Sequence, residues 1–141
     1  MNILLVEDDY LLGRSTARLL EKEGQHRVRL THKAADVFKH CQSGAVDLVI
    51  MDVNLPGTVW QDEEVTGVEL SRMLNVHPRT ARLPIVLLSA NTTQAEQGRL
   101  LGEALADAIY AKPITDANEF LLLLVQSSGG RGFQGLTASA S

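Results

Sequence analysis
The sequence predicts an α/β fold, a doubly wound five-stranded parallel sheet flanked by helices. Three observations predict it. Short aliphatic runs without polar alternation recur along the chain: Ile3-Leu4-Leu5-Val6, Leu48-Val49-Ile50-Met51, Ile85-Val86-Leu87-Leu88 and Ala108-Ile109-Tyr110-Ala111. Runs of this kind suit strands covered on both faces. Helix-like stretches separate them, so the chain reads as successive βαβ units with right-handed crossovers. Each run also ends in polar groups: Glu7-Asp8-Asp9, Asp52, Ser89 and Lys112-Pro113. Ligands of an open parallel sheet bind beyond the carboxyl ends of its strands. These groups are therefore expected to meet in one crevice.

The elements follow in order. Tyr10 to Glu23 reads as a helix, with Leu11, Leu12, Ala17, Leu19 and Leu20 on its apolar face and Gly24 as its stop. Arg27 to Leu30 alternates charge with apolar groups, which suits a second strand near the sheet edge. Lys33 to Gln42 is a second helix, ending near Gly44, and Val46 to Met51 is the third strand. A long loop follows. A helix resumes near Gly67 and runs to about Asn75, and Pro84 opens the fourth strand. Thr93 to about Leu105 is a helix with Leu100, Leu101 and Ala104 inward, and the fifth strand ends at Lys112. Asp116 has the chemistry of an N-cap for a last helix through about Gln126. From Ser127 the composition shifts to Ser-Ser-Gly-Gly-Arg-Gly, too poor in apolar groups to order itself. Residues 1–126 are thus expected to form one domain and 127–141 a flexible tail, with Phe133 and Leu136 the side chains available for local docking.

Composition narrows the function classes. The formal net charge of −4 leaves no basic excess to neutralise phosphates, so direct nucleic-acid binding is not expected. Basic residues gather at Arg27, Arg29 and Lys33, and again at Arg79 and Arg82, and read as solvated faces. A single cysteine, Cys41, excludes an internal disulfide and suits the cytosol, where it serves as a small packing residue. No apolar stretch reaches membrane-spanning length, and the first residues read as a strand rather than a signal peptide. A cytoplasmic protein without membrane contact is expected. The four histidines show no metal-ligand spacing.

The crevice has a definite chemistry. Clustered carboxylates repel one another and favour a hard divalent cation with oxygen ligands. A metal, an ammonium and a hydroxyl around one free carboxylate oxygen make a place for a transferring phosphoryl group, since positioning and charge neutralisation supply most of that catalysis. Phosphorylation of an aspartate side chain is the expected event.

Over residues 1–126, Leu5-Val6-Glu7-Asp8-Asp9, Met51-Asp52-Val53-Asn54-Leu55-Pro56-Gly57, Leu88-Ser89-Ala90 and Ala111-Lys112-Pro113-Ile114 resemble, in order, the receiver domains of two-component response regulators. The resemblance implies a flavodoxin-like fold and phosphorylation of Asp52 by a sensor histidine kinase or phosphotransfer protein. It implies Mg2+ held directly by Asp8 and Asp52, by Glu7 largely through water, and by the backbone carbonyl of Asn54. Ser89 would hydrogen-bond one phosphoryl oxygen and Lys112 would pair with another. The Lys112-Pro113 bond is often cis in this family. Such a protein is a switch for protein contacts, not an enzyme beyond its own phosphorylation and dephosphorylation. The family's usual surface for homodimers or targets implies the same here, through the last helix and fifth strand. Phe120 to Val125 is apolar all round, so some of these side chains are expected at the surface.

Two features depart from the family. The glycine that normally follows the proline soon after is matched by Gly67, leaving about seven extra residues within 57–66. This stretch holds the one tryptophan, Trp60, and reads equally as a lid or kinase-specificity element and as a surface insertion with Trp60 packed for stability. The aromatic usually three residues before the lysine is Ile109 here, and the neighbouring Tyr110 falls on the other face of the strand. An outward Tyr110 would add an aromatic anchor to the partner surface. Two rival functions share the chemistry. A phosphatase of the haloacid-dehalogenase type needs a second aspartate two residues after its nucleophile, where this chain has Asn54. A receiver-like module that no longer takes phosphate is opposed by the intact set Asp8, Asp52, Ser89 and Lys112.

Overall fold
The computed structural model describes residues 1–90, 92–129 and 136–138. In chain order the elements are β1 (Asn2–Val6), α1 (Tyr10–Gly24), β2 (Arg27–Thr31), α2 (Ala34–Gln42), β3 (Leu48–Asp52), β4 (Val59–Trp60), β5 (Glu63–Glu64), α3 (Gly67–Val76), β6 (Ile85–Ser89), α4 (Gln94–Ala104), β7 (Ala108–Ala111), α5 (Ala117–Ser128) and β8 (Leu136–Ala138). The expected five parallel strands stand side by side as β2-β1-β3-β6-β7. The chain turns one way from β1 to β2 and the other way from β3 onward. That reversal opens a crevice beyond the ends of β1 and β3.

Two cores fill the two faces of the sheet. On one face, Leu4, Val6, Val49, Met51, Leu87 and Ile109 pack with α2, α3 and α4. On the other, Ile3, Leu5, Leu48, Ile50, Val86, Leu88 and Tyr110 pack with α1 and α5. Burial on both faces is why these strands carry no polar alternation. Ile109 and Tyr110 fall in opposite cores, as strand geometry requires. Tyr110 is not an outward anchor. It is fully buried, meets Phe120 edge-on at 5.0 Å between centroids, and reaches the carbonyl of Asp116 with its hydroxyl at 3.5 Å. The cover supplied by α5 decides this.

Several boundaries differ from the sequence reading. β3 begins at Leu48 and includes Asp52, so the aspartate is the last strand residue rather than the first of the loop. Lys33 and Thr93 lie outside their helices, at the N-cap positions of α2 and α4. Leu11 is not on the buried face of α1 but 79% exposed. Ala17 and Leu20 are inward as expected, joined by Gly13 and Thr16, and a Cβ on Gly13 would lie 2.8 Å from the Leu30 side chain. The left-handed stop of α1 is Gln25, one residue past Gly24. α5 continues two residues beyond Gln126, taking Ser127 and Ser128 from the expected tail. Leu136–Ala138 adds a short parallel strand beside β7. Residues 130–135 and 139–141, Phe133 included, lie outside the described residues.

The extra stretch before α3 is a two-stranded antiparallel hairpin, β4 with β5, turning at Gln61 and Asp62, both at positive φ. Such turns match the twist of a hairpin. Trp60 lies on Phe38 of α2, with ring centroids 4.4 Å apart, and buried Thr58 donates to the carbonyl of His32 at 3.4 Å. The insertion is thereby packed on α2. The contact of Trp60 with Phe38 favours the packing reading of this residue over a lid.

Candidate phosphoryl-transfer site
Register brings the strand-end residues to one level. Met51 pairs with Val6, Leu88 with Asp52, and Ala111 with Ser89. Backbone bonds carry the alignment one residue further: Glu7 N–H to the Thr31 carbonyl at 3.0 Å, Val53 N–H to Leu88 at 2.9 Å and Lys112 N–H to Ser89 at 2.7 Å. Sheet hydrogen bonding thus places the carboxylates, hydroxyl and ammonium from four separate strands in one cluster.

Asp52 and Glu7 are both buried there, at 2% and 4% relative exposure. The Lys112 ammonium joins them. It donates a short hydrogen bond to Oδ2 of Asp52 and stands 3.6 Å from Oε2 of Glu7. The other Asp52 oxygen, Oδ1, accepts the Asn54 backbone N–H at 2.8 Å, which fixes the carboxylate plane. Glu7 Oε1 accepts the Asp9 N–H at 3.1 Å. Burial, the hydrogen bond with Asp52 and the charge of Asp52 push the Glu7 carboxyl up to about 7, against the pull of the Asp9 N–H and of Lys112. One ammonium does not offset two buried carboxylates.

Asp8 is exposed, and Asp9 is occupied as the cap of α1, accepting the Leu12 N–H at 3.0 Å. Among the described residues, no group of three or more His, Cys, Asp and Glu side chains is drawn together as a metal cage. Mg2+ does not need one. It keeps several waters and takes one or two carboxylates. The donor set fits that habit: every candidate ligand is an oxygen, and the surplus negative charge at Glu7 and Asp52 is what a hard cation relieves. Ser89 is buried at the end of β6, with its hydroxyl 3.3 Å from that of Thr92. The Lys112-Pro113 bond is cis.

The contribution of Thr92 and the steric role of Gly67 were not evident from the sequence. Thr92 joins the hydroxyl corner, and its signal was only its place three residues after Ser89. Gly67 has a steric role. A Cβ there would lie 1.8 Å from the carbonyl oxygen of Asp52. Only glycine lets α3 begin against the end of β3, and its N–H bonds the Val53 carbonyl at 3.1 Å. The Thr66–Glu69 capping box holds that helix start in place.

The model of the response regulator receiver domain matches residues 3–124. The chain is 34% identical over 113 residues to the phosphate regulon transcriptional regulatory protein PhoB of Rhizobium meliloti, covering 80% of this chain and 46% of that protein. It spans less than half the length of the first curated relatives it matches. Among solved structures, a sensor protein from Polaromonas aligns with a TM-score of 0.74 at 27% identity, covering 91% of this chain and 95% of that one. The receiver domain of a sensor histidine kinase from Pseudomonas aeruginosa, crystallised with magnesium in its active-site cleft, aligns with a TM-score of 0.74 at 26% identity, covering 92% and 98%.

Proposed function
Because the chain belongs to the family of response regulator receiver domains, we propose that it accepts a phosphoryl group on Asp52 and switches protein contacts in response. The observation that carries this reading is the buried Asp52 carboxylate, held by the Asn54 N–H on one oxygen and by Lys112 on the other. A carboxylate so oriented presents an oxygen for attack on phosphorus. The donor's P–N bond breaks as the Asp52 O–P bond forms, and the donor imidazole leaves. The donor is a sensor histidine kinase or a phosphotransfer protein.

Mg2+ would be held by Asp8, Asp52 and the carbonyl of Asn54, with Glu7 acting largely through water, and would neutralise phosphoryl oxygens during transfer. Lys112 binds a phosphoryl oxygen once its carboxylate partner is esterified. Ser89 donates its hydroxyl to another, and that movement breaks its contact with Thr92. The buried Ile109 and Tyr110 leave the usual aromatic switch without its side chain. The response therefore runs through Ser89, Thr92 and Lys112.

Contacts are made through α5. Leu122 and Val125 are 57% and 55% exposed on one side of this helix. β8 lies along β7 and is the last strand of the sheet on that side among the described residues. A homodimer or a target protein is the partner on this face. The domain works in the cytoplasm, without touching nucleic acid or membrane. No helix among the described residues is long and apolar enough to cross a membrane.

Acetyl phosphate labelling with and without Mg2+ tests the proposal. Stable, Mg2+-dependent labelling supports it. Rapid turnover of many equivalents of phosphate would point to a phosphatase, and no labelling to a module that has lost the chemistry.

A further inference from the structure
The far edge of the sheet carries a feature that phosphorylation does not use. β2 is an edge strand, bonded only to β1. Arg27 N–H donates to the Met1 carbonyl, and the Thr31 carbonyl accepts from Glu7. In a parallel strand, the N–H and C=O of one residue point the same way and successive residues alternate. The backbone groups of Val28 and Leu30 therefore point outward, away from β1. Side chains alternate as well. Val28 and Leu30 join the α1 face, while Arg27 and Arg29 lie on the α2 face, about 7 Å apart along the strand. The two arginines line a groove of about 330 Å3 together with His40, Ala45 and Val46. Among the described residues neither guanidinium has an ion-pair partner. The nearby Asp47 carboxylate accepts the Asn2 N–H at 2.7 Å.

We infer that the β2 edge binds an extended acidic segment of a partner protein. Such a segment adds a strand against Val28 and Leu30, and its carboxylates, at every second position, meet Arg27, Arg29 and His40. Backbone pairing gives the register, and the alternate side chains give the selectivity. Charge complementarity sets the sign. On a molecule of formal net charge −4, two arginines without an ion-pair partner among the described residues stand beside a histidine on one edge and favour an acidic chain there. Charged edge residues also discourage edge-to-edge aggregation. That role alone requires no binding.

The probe is a labelled synthetic peptide in which glutamate and valine alternate, titrated with the full chain and followed by fluorescence anisotropy and by the amide resonances of β2. Saturable binding is expected, weakened by salt, with the largest amide changes at Val28 and Leu30. The double variant Arg27→Glu/Arg29→Glu should weaken binding by at least about tenfold, and Arg27→Gln/Arg29→Gln by less. These side chains are exposed, so both variants should fold, and wild-type labelling of Asp52 checks this. The inference is overturned if the peptide does not bind, or if the charge-reversal variant binds it as well as the wild type. It is also overturned if a peptide with its glutamates in one block binds equally, or if anionic lipid vesicles bind through these arginines and the peptide does not.

Discussion

Gly67→Ala isolates the contact that positions Asp52. The added Cβ would sit 1.8 Å from the Asp52 carbonyl oxygen, 2.8 Å from its carbonyl carbon and 3.0 Å from the Val53 Cα. All three are backbone atoms, so no side chain can rotate away. Carbon and oxygen approach comfortably only to about 3.3 Å. The start of α3 and the end of β3 must therefore separate by about 1.5 Å. Overpacking of this kind costs up to about 3 kcal/mol. The separation also breaks the bond from the Gly67 N–H to the Val53 carbonyl, worth about 1 kcal/mol. Together these lower the melting temperature by roughly 10 °C, and the shifted strand end slows labelling of Asp52. Thermal and urea denaturation measure the first effect, and acetyl phosphate labelling the second. The same substitution at Gly98 or Gly102 is the control. Both lie in α4, exposed, with nothing within 4 Å of a new Cβ. Alanine there should stabilise by up to about 1 kcal/mol. A Gly67→Ala protein as stable as these controls, with wild-type labelling, would refute the close-approach argument.

Three further outcomes follow from the site and the hairpin. The Glu7 carboxyl is raised from 4.5 to about 7 in the folded chain. Below pH about 4.5 it is neutral in both states. Between there and pH about 7 only the unfolded chain ionises, so stability should fall as pH rises, by on the order of 3 kcal/mol. Glu7→Gln should remove that slope, as should saturating Mg2+; equal pH–stability slopes in variant and wild type would contradict it. Lys112→Ala leaves two buried carboxylates without their counter-charge and should destabilise by about 3 kcal/mol, a loss that Mg2+ partly restores. A metal-independent loss in urea titrations would argue against this account of the pair. Trp60→Ala should cost about 2 kcal/mol through the lost Phe38 contact while leaving Asp52 labelling unchanged. A large fall in labelling would return the hairpin to the role of a lid.

Much of this was legible because the strands are buried on both faces. Leu48 to Met51 and Ile85 to Leu88 have no polar residue to interrupt them, and their polar ends could be read directly. Glu7, Asp52, Ser89 and Lys112 then converge because sheet register, a non-local but regular property, aligns them. Features set by irregular contacts were harder to read. Apolar spacing along α1 suggested Leu11 as inward. Leu11 is exposed, and Gly13 takes an inward place close to the Leu30 side chain. The hairpin has strands too short for periodicity and a Gln61-Asp62 turn without glycine, and its anchor, Phe38, is distant in sequence. Gly67 was recognised from resemblance alone. Its physical reason is a backbone contact with Asp52 that no local pattern records.

The central claim is that Asp52 takes the phosphoryl group. Its most direct test is reductive trapping of the acyl phosphate with borohydride after treatment with acetyl phosphate and Mg2+, followed by peptide mass spectrometry. The account predicts conversion of Asp52 to homoserine at that one position, and none in Asp52→Asn. Conversion at Asp8 or Asp9 instead, or undiminished phosphate incorporation in Asp52→Asn, would contradict it.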